Sequence, residues 1–224
     1  MASRDFSSLA VRLQPTVPGC PRQTIVQYIR DSAIKTCERT LAWRYQVPRF
    51  DLTPGTYIYD YRKPFDSQVH AVFAALQNNV PLEILTLDRA LELYPEWADK
   101  YTTSGDIATY GTEPRSMTEI SPHQFAVLPL PDARRTYNVR MFVALKPTRT
   151  ATGMDEAVFD DLEDVIMHGA LQTLLVLPNT NWSDRELAAY HAKQFVSQVT
   201  ERRARANLGN ARGTFAAQMQ PFGA

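Results

Sequence analysis

Residues 155–208, which read DEAVFDDLEDVIMHGALQTLLVLPNTNWSDRELAAYHAKQFVSQVTERRARANL, decide the fold. Apolar residues recur at helical spacing over 155–177 and again over 184–208, and Pro178 stops the first run. At about 1.5 Å per residue, each run makes a helix of roughly 35 Å. The connection between them is short, so the two helices should lie antiparallel against each other. The sequence therefore predicts a stiff helix hairpin.

Single residues predict where the two helices of this hairpin begin, end and pack. Ser183 and Glu186 form a capping box, in which two free N–H groups at the helix start are satisfied reciprocally. Gly209 ends the second helix. Gly169 and Ala170 are small enough to let another helix approach closely. The apolar stripes expected to face the core are Val158, Phe159, Leu162, Val165, Ile166, Gly169 and Leu174 in the first helix and Leu187, Tyr190, Ala192, Phe195, Val199 and Leu208 in the second.

Charge is segregated between the two helices, with acids at the start of the first and arginines at the end of the second. Both placements suit the helix macrodipole, and antiparallel packing brings the two ends together. A solvated face with favourable dipoles explains most of these charges. Alternatively, unpaired acidic and basic edges on opposite flanks would recognise each other between the subunits of a ring. The charged residues are Asp155, Glu156, Asp160, Asp161, Glu163, Asp164, Arg202, Arg203 and Arg205.

The rest of the chain is predicted to add one helix and a β-rich insertion to the hairpin. Residues 1–19 carry Ser, Pro and Gly without a long periodic pattern, and we interpret them as an arm. Pro21 suits the first helical turn, and the apolar spacing that follows predicts a helix over 22–41. We expect residues 20–209 to form a single α+β domain, with 42–149 as the insertion. The residues that mark the buried face of the helix are Ile25, Tyr28, Ile29, Ala33 and Cys37.

Short aromatic and β-branched runs, broken by turns, predict the strands of the insertion. Strands are expected over 43–50, 56–61, 123–128 and 137–145. Thr86 can cap a short helix over 87–93, because its hydroxyl can accept a hydrogen bond from a free N–H group. The polar segment 101–118 is interpreted as a loop.

One segment of the insertion, 68–84, has two interpretations. Val69, Val72 and Leu76 would suit a helix face. However, Asn78 and Asn79 in the middle suit the turn of a hairpin better, because asparagine tolerates the left-handed conformation that tight hairpin turns require. We favour two strands.

Composition excludes several classes of function. The 224 residues carry no net formal charge, which argues against attraction of the whole molecule to nucleic acid or to an acidic membrane. Charge-based recognition must therefore come from local asymmetry. No stretch approaches the roughly 20 apolar residues that span a bilayer, and no signal peptide is expected. Cys20 and Cys37 are interpreted as reduced thiols of a protein made in the cytoplasm.

Motifs that carry chemistry are missing from the sequence. The four histidines are far apart, and none belongs to an H-E-x-x-H motif. The cysteines lack C-x-x-C spacing, and no phosphate-binding glycine loop or nucleophile elbow is present. His168 and His191 lie on the paired helices, where a packing or surface role is favoured over a metal site. We assign no catalytic, cofactor-binding or metal residues; the enzymatic alternative is a metal site on the acidic helix.

Several strings, taken in order, resemble the head-to-tail adaptor (connector) proteins of tailed bacteriophages, best known from short-tailed phages. Each string alone has little specificity, whereas their order and spacing together are more specific. The resemblance covers residues 20–213. The strings are LYPEW (93–97), LPLP (128–131), LKPT (145–148), IMHGAL (166–171), PNTNWSD (178–184) and RRAR (202–205).

This resemblance implies a structural virion protein without enzymatic activity. Such adaptors form a ring, commonly twelve-fold, that docks under the portal protein, extends the channel for genomic DNA and presents a surface to tail proteins of the nozzle or tube. Their fold is a helical bundle with a β-rich insertion, and their C-terminal segments often reach onto the portal. Another tail-completion or gatekeeper virion protein is the alternative within the same class.

The residues expected at the portal or subunit interfaces come from three places. Residues 210–224 cannot build a core of their own and should order only on docking to the portal, because large apolar side chains are spaced along a chain of small residues. The charged ends of the hairpin should meet neighbouring subunits. The predicted interface residues are Asp160, Asp161, Asp164, Arg202, Arg203, Arg205, Arg212, Phe215, Met219 and Phe222.

Overall fold

A computed structural model describes residues 3–95, 97 and 113–208 of the chain, and it confirms the α+β class. The described elements, in chain order, are β1 (Ser3–Asp5), α1 (Phe6–Leu13), α2 (Arg22–Thr40), β2 (Arg44–Asp51), β3 (Ile58–Asp60), β4 (Ser67–Gln77), β5 (Val80–Leu85), α3 (Leu87–Leu93), β6 (Ser116–Ser121), β7 (Gln124–Leu128), β8 (Asn138–Pro147), β9 (Gly153–Asp155), α4 (Glu156–Leu174) and α5 (Arg185–Leu208). The β-rich part lies between helices, as the sequence predicted.

The helices α2, α4 and α5 pack on one another, and we call them the helical frame. Residues near the start of α4 contact residues near the end of α5, so the predicted antiparallel hairpin is confirmed. Asp155 caps α4 by accepting a hydrogen bond from the Val158 N–H at 3.3 Å. Helix α2 begins directly after Pro21, as predicted.

The cap of α5 differs from the predicted capping box. The Asp184 carboxylate accepts a hydrogen bond from the Leu187 N–H at 2.9 Å, so Asp184 is the capping residue. Ser183 instead donates its hydroxyl to the Leu175 carbonyl oxygen at 3.2 Å, which ties the connection back to α4. The helix consequently begins one residue later than the capping box implied.

Gly169 is a point of close packing in the helical frame, as predicted. A Cβ atom at this position would collide with the Ser32 hydroxyl of α2 and with the Phe195 ring of α5. Because α2 and α4 are close here, the Ser32 hydroxyl donates a hydrogen bond to the Ile166 carbonyl oxygen at 2.7 Å. The absence of a side chain at Gly169 therefore allows both neighbouring helices to contact α4 at one level.

The described part of the N-terminal segment, residues 3–20, packs into the core, which corrects the predicted arm. β1 pairs with β9 in antiparallel register, and α1 follows it directly with an Asp5 cap. The buried side chains of this segment share helical spacing in α1 and continue into the turn after it. They are Phe6, Leu9, Ala10, Leu13, Val17 and Cys20.

The seven-stranded sheet curls back on itself. Its strand order is β2-β8-β4-β5-β6-β7-β3, and all neighbours are antiparallel except β5 and β6. Aromatic side chains bring the two edge strands together. The Phe50 ring of β2 lies 6.2 Å from the Tyr59 ring of β3 and 6.1 Å from the Phe125 ring of β7. The curled sheet thus encloses its own apolar interior.

The ambiguous segment forms the predicted hairpin of β4 and β5. Asn78 and Asn79 both have positive φ, at 49° and 68°, which explains why asparagines stand there. The predicted helix at 87–93 and its Thr86 cap are confirmed. The loop interpretation of 101–118 is wrong at 116–118, which begin β6, and residues 101–112 lie outside the described residues.

One large apolar core joins the helical frame to the interior of the sheet. Many of the predicted stripe residues are buried in it, at about 1.5 to 3 kcal/mol for each large side chain. Val165, Phe195 and Val199 are also buried and form a separate small cluster between α4 and α5. Tyr190 is an exception, because it points outward from α5 and is 54% exposed. Among the described residues, no helix combines the length and the apolar character needed to cross a bilayer.

Candidate functional site

A group of ion pairs forms where the start of α4 meets the end of α5, and we call it the charged edge. The predicted pairing of the helix ends is present as an ion pair between Asp161 and Arg202. Two further acids of α4 pair with the N-terminal segment. Arg4 pairs with Asp160, and Arg12 pairs with Glu163. The charged edge consists of Arg4, Arg12, Asp160, Asp161, Glu163 and Arg202.

Arg4 is held in this edge from two sides. Its guanidinium lies 5.2 Å from the centre of the Phe159 ring, and one of its nitrogen atoms lies 4.0 Å from the carboxylate of Glu163. Its position is fixed by β1, which pairs with the residues just before α4. Exposed ion pairs of this kind contribute only about 0 to 1 kcal/mol each, so they determine surface charge more than stability.

The predicted interface residues fall into three groups. Asp160, Asp161 and Arg202 are engaged inside the subunit. Asp164, Arg203 and Arg205 are exposed and make no ion pair with any described residue. The predicted tail residues Arg212, Phe215, Met219 and Phe222 lie outside the described residues.

Sequence reasoning missed Arg4 and Arg12, because it gave the first residues no regular structure. A signal was present. Phe6, Leu9 and Leu13 recur at spacings of three and four, which is the apolar periodicity of a short helix. A helix of only eight residues is weak evidence by itself, since such helices are stable only when packed.

Two histidines meet between α4 and α5. The Nδ1 atom of His168 lies 2.7 Å from the Nδ1 atom of His191. At this distance one Nδ1 donates a hydrogen bond and the other accepts it, so at least one ring must be neutral. The Tyr190 ring packs edge-on against both imidazoles, at 6.4 Å from His168 and 5.3 Å from His191. The pair is therefore a structural contact that double protonation would break.

We expect the stability of the hairpin to fall as the pH drops below the ordinary histidine pKa. Burial lowers the pKa of His168 and of His191, although Asp164 opposes the shift at His168 and the neighbouring imidazole adds to it at His191. Because the folded state binds fewer protons than the unfolded state, the stability is complete above a pH of about 6.5 and is lost as the pH falls through the lowered pKa values. Urea unfolding at a series of pH values measures this loss.

The matched variant for this experiment carries asparagine at both His168 and His191. It should show a smaller loss of stability between neutral and mildly acidic pH than the natural chain. An equal loss in both proteins would show that other groups cause the acid sensitivity.

The described residues offer little for catalysis. They include no group of three or more His, Cys, Asp or Glu side chains that could hold a metal ion. Cys20 and Cys37 are both buried and unpaired. Burial raises the pKa of the Cys37 thiol to about 12, which keeps it protonated and unreactive at neutral pH.

Several large apolar side chains are exposed on the surface of the described chain. Tyr190 and Val196 are each more than half exposed on the outer side of α5. Phe65 lies in the loop before β4 and is 93% exposed, the highest value among the described large apolar residues. These side chains are available to a protein partner.

Comparison with known proteins finds a family whose sequence model covers nearly the whole chain. The sequence model of a family described as SU10 adaptor protein matches residues 4–218. No curated protein matches the chain. The matched range includes all three helices of the helical frame and every strand of the curled sheet.

Proposed function

Because the chain belongs to the SU10 adaptor protein family, and is therefore a phage adaptor protein, we propose that it docks as a ring on the portal of the virion. In this position it extends the channel through which genomic DNA passes and provides the attachment surface for tail proteins of the nozzle or tube. The ring is twelve-fold, as in the short-tailed phage adaptors that the sequence resembles. The role is structural and involves no catalysis.

The observation that carries this proposal is the family match over nearly the whole chain. It runs through the helical frame and the sheet together, so both belong to the adaptor architecture rather than to an added domain. The packing of the helices and the sheet agrees with a rigid structural subunit. Two long helices pack antiparallel against a third at a glycine contact, and a single apolar core continues from them into the sheet.

The charges left over at the hairpin supply candidate contacts between subunits. Glu156 and Asp164 are exposed on α4, and Arg203 and Arg205 are exposed on α5, without an ion pair among the described residues. Charge complementarity of this kind directs association and selects the register more than it adds affinity. We infer that neighbouring subunits of the ring meet through these residues.

Reversing the two unpaired arginines to glutamate (R203E/R205E) is expected to prevent ring assembly while the monomer stays folded. The two side chains have no described ion pair in the subunit, so their reversal removes contacts only between subunits. The measurement is the mass of the purified protein by light scattering, with and without the portal ring. The natural chain should gain the mass of a ring when the portal is present.

The control is Arg202→Glu, because Arg202 is already paired with Asp161 inside the subunit. It should lower the free energy of unfolding slightly, by about 0 to 1 kcal/mol. It should also reduce ring assembly less than R203E/R205E does. Normal assembly of R203E/R205E would reject these arginines as ring contacts. A natural chain that gains no mass with the portal would reject the proposed function itself.

A further inference from the structure

A polar cavity of about 320 Å³ lies at the end of the curled sheet that is farther from the helical frame. β2 starts close to the end of α2 and runs away from it, so Asp51 and its cross-strand partner Asn138 mark the far end. The cavity opens beside these residues. Its lining consists of Arg49, Leu76, Asn78, Asn79, Asn138 and Arg140.

Backbone and amide hydrogen bonds build the cavity wall. The Asn78 N–H donates to the Asn138 carbonyl oxygen at 2.8 Å, and the Asn138 N–H donates to the Asn78 side-chain oxygen at 3.0 Å. The Asn78 amide also donates to the Thr136 carbonyl oxygen at 3.1 Å. A bulge between Val47 and Phe50 interrupts the β2–β8 register beside Arg140. The site is therefore held by fixed backbone and does not depend on a loose loop.

The cavity is positively charged. Arg49 and Arg140 make no ion pair with any described residue. The Nε atom of Arg140 is buried and has no hydrogen-bond partner in the described part of the chain. The nearby Asp51 carboxylate accepts a hydrogen bond from the Asn138 amide at 2.9 Å. No carboxylate lines the cavity, so its two cations favour an anion.

Two arginines of the same sheet region stack on aromatic rings. The Arg140 guanidinium lies 5.6 Å from the centre of the Phe142 ring, and the Arg44 guanidinium lies 4.8 Å from the centre of the Phe73 ring. Residues 140 and 142 share one face of β8, because side chains alternate along a strand. An arginine that lies over an aromatic ring can still make bidentate contacts through guanidinium N–H groups that the ring does not cover. We call Arg44, Arg49, Arg140, Phe73 and Phe142 the arginine face.

The length of the arginine face selects the kind of anion. Arg44 and Arg49 are five residues apart on β2, which corresponds to about 15 Å of strand. A ligand that reaches both must carry negative charge over that distance. Nucleic acid does so through its regularly spaced phosphates, whereas a single carboxylate does not.

The acidic start of α4 in another subunit is a weaker partner for this face. Asp160, Asp161 and Glu163 are already in ion pairs within their own subunit. Only Glu156 and Asp164 remain in the helix proper without such a pair among the described residues.

We propose that the arginine face binds the phosphodiester backbone of duplex DNA without sequence preference. Arginine is suited to this role because its planar N–H groups match phosphate oxygens in pairs. The inference rests on the proposed function for the source of the phosphates, since an adaptor around a DNA channel meets the genome at close range. It also explains how a chain of zero net charge can contact DNA, through local segregation of charge.

The test is the binding of a fluorescently labelled duplex to the full-length chain, measured by anisotropy over a series of salt concentrations. The double variant Arg49→Gln, Arg140→Gln should bind about tenfold more weakly at low salt and should reduce the slope of log affinity against log salt by about 2. Two duplexes of unrelated sequence should give the same affinity.

The matched control is Arg89→Gln, Arg185→Gln, which removes the same charge from exposed positions on α3 and α5. It should leave the salt slope unchanged. Failure of the natural chain to bind duplex at low salt, or equal slopes for the two double variants, would overturn the inference. So would a cavity variant that binds duplex normally but no longer assembles with the portal, since the face would then be a protein interface. Arginine-dependent duplex binding by a chain that never gains mass with the portal would support the inference and reject the proposed ring.

Discussion

Replacing Gly169 by alanine is expected to lower the free energy of unfolding by about 2 kcal/mol or more. In an ordinary helix interior this substitution is favourable by about 1 kcal/mol, because alanine is the better helix former. Here the added methyl group would collide with the Ser32 hydroxyl and the Phe195 ring at once. A net loss of stability would therefore be caused by the steric contact between α2, α4 and α5. Equilibrium unfolding in urea, monitored by circular dichroism, provides the measurement.

A double-mutant cycle with Ser32→Ala sharpens this prediction. Ser32→Ala alone should cost about 1 kcal/mol, because the hydrogen bond to the Ile166 carbonyl oxygen is lost. In the double variant the Ser32 hydroxyl is absent and no longer collides with the new methyl group. The double variant should therefore lose less stability than the sum of the losses in the two single variants. Strict additivity, or a stabilised Gly169→Ala variant, would show that the three helices are not in the predicted close contact.

Removing residues 210–224 is expected to abolish attachment to the portal ring and to leave folding intact. All described residues of the frame and the sheet lie at or before Leu208. The deleted residues combine small side chains with Phe215, Met219 and Phe222, a pattern suited to a segment that orders on a partner. Sedimentation with purified portal rings measures attachment, and circular dichroism measures folding.

A full-length variant with serine at Phe215, Met219 and Phe222 separates the apolar anchors from the length of the tail. It should fail to attach as the truncated chain does. Because this variant keeps Arg212, it also tests whether the charge of the tail is sufficient for attachment to the portal. Normal attachment by the truncated protein would contradict the docking role of the tail, whereas unfolding on truncation would place the segment in the core.

The hairpin could be predicted from sequence because its contacts are close along the chain. Helices α4 and α5 follow each other, the connection is short, and each carries its own apolar periodicity. The Thr86 cap and the Asn78–Asn79 turn were predicted for the same reason, because each depends on a few neighbouring residues whose conformational preferences act locally. At Gly169 the small residue predicted a close helix contact, but its partners Ser32 and Phe195 are distant along the chain.

The predicted pairing of the charged helix ends is confirmed, whereas the portal and subunit contacts of the predicted interface residues stay a prediction. Asp161 and Arg202 form an ion pair because antiparallel packing places the acidic start of α4 beside the basic end of α5. The contact of Arg4 with Asp160 could not be predicted from sequence patterns, since 156 positions separate the two residues. Sequence reasoning also placed Tyr190 in the core, although the side chains that turn inward on α5 include Ala188, His191 and Phe195.

By itself, the sequence determined the α+β class, the three helices of the frame, most of the strands and the segregation of charge along the last two helices. Only the tertiary structure decided that the N-terminal residues form a helix, which carboxylates they bind, and that Arg44, Arg49 and Arg140 lie on one region of the sheet. The physical reason is the range of the interactions. Caps, turns and helical periodicity are fixed by neighbours, whereas an eight-residue helix gains stability only by burial and strand order depends on pairings between distant segments.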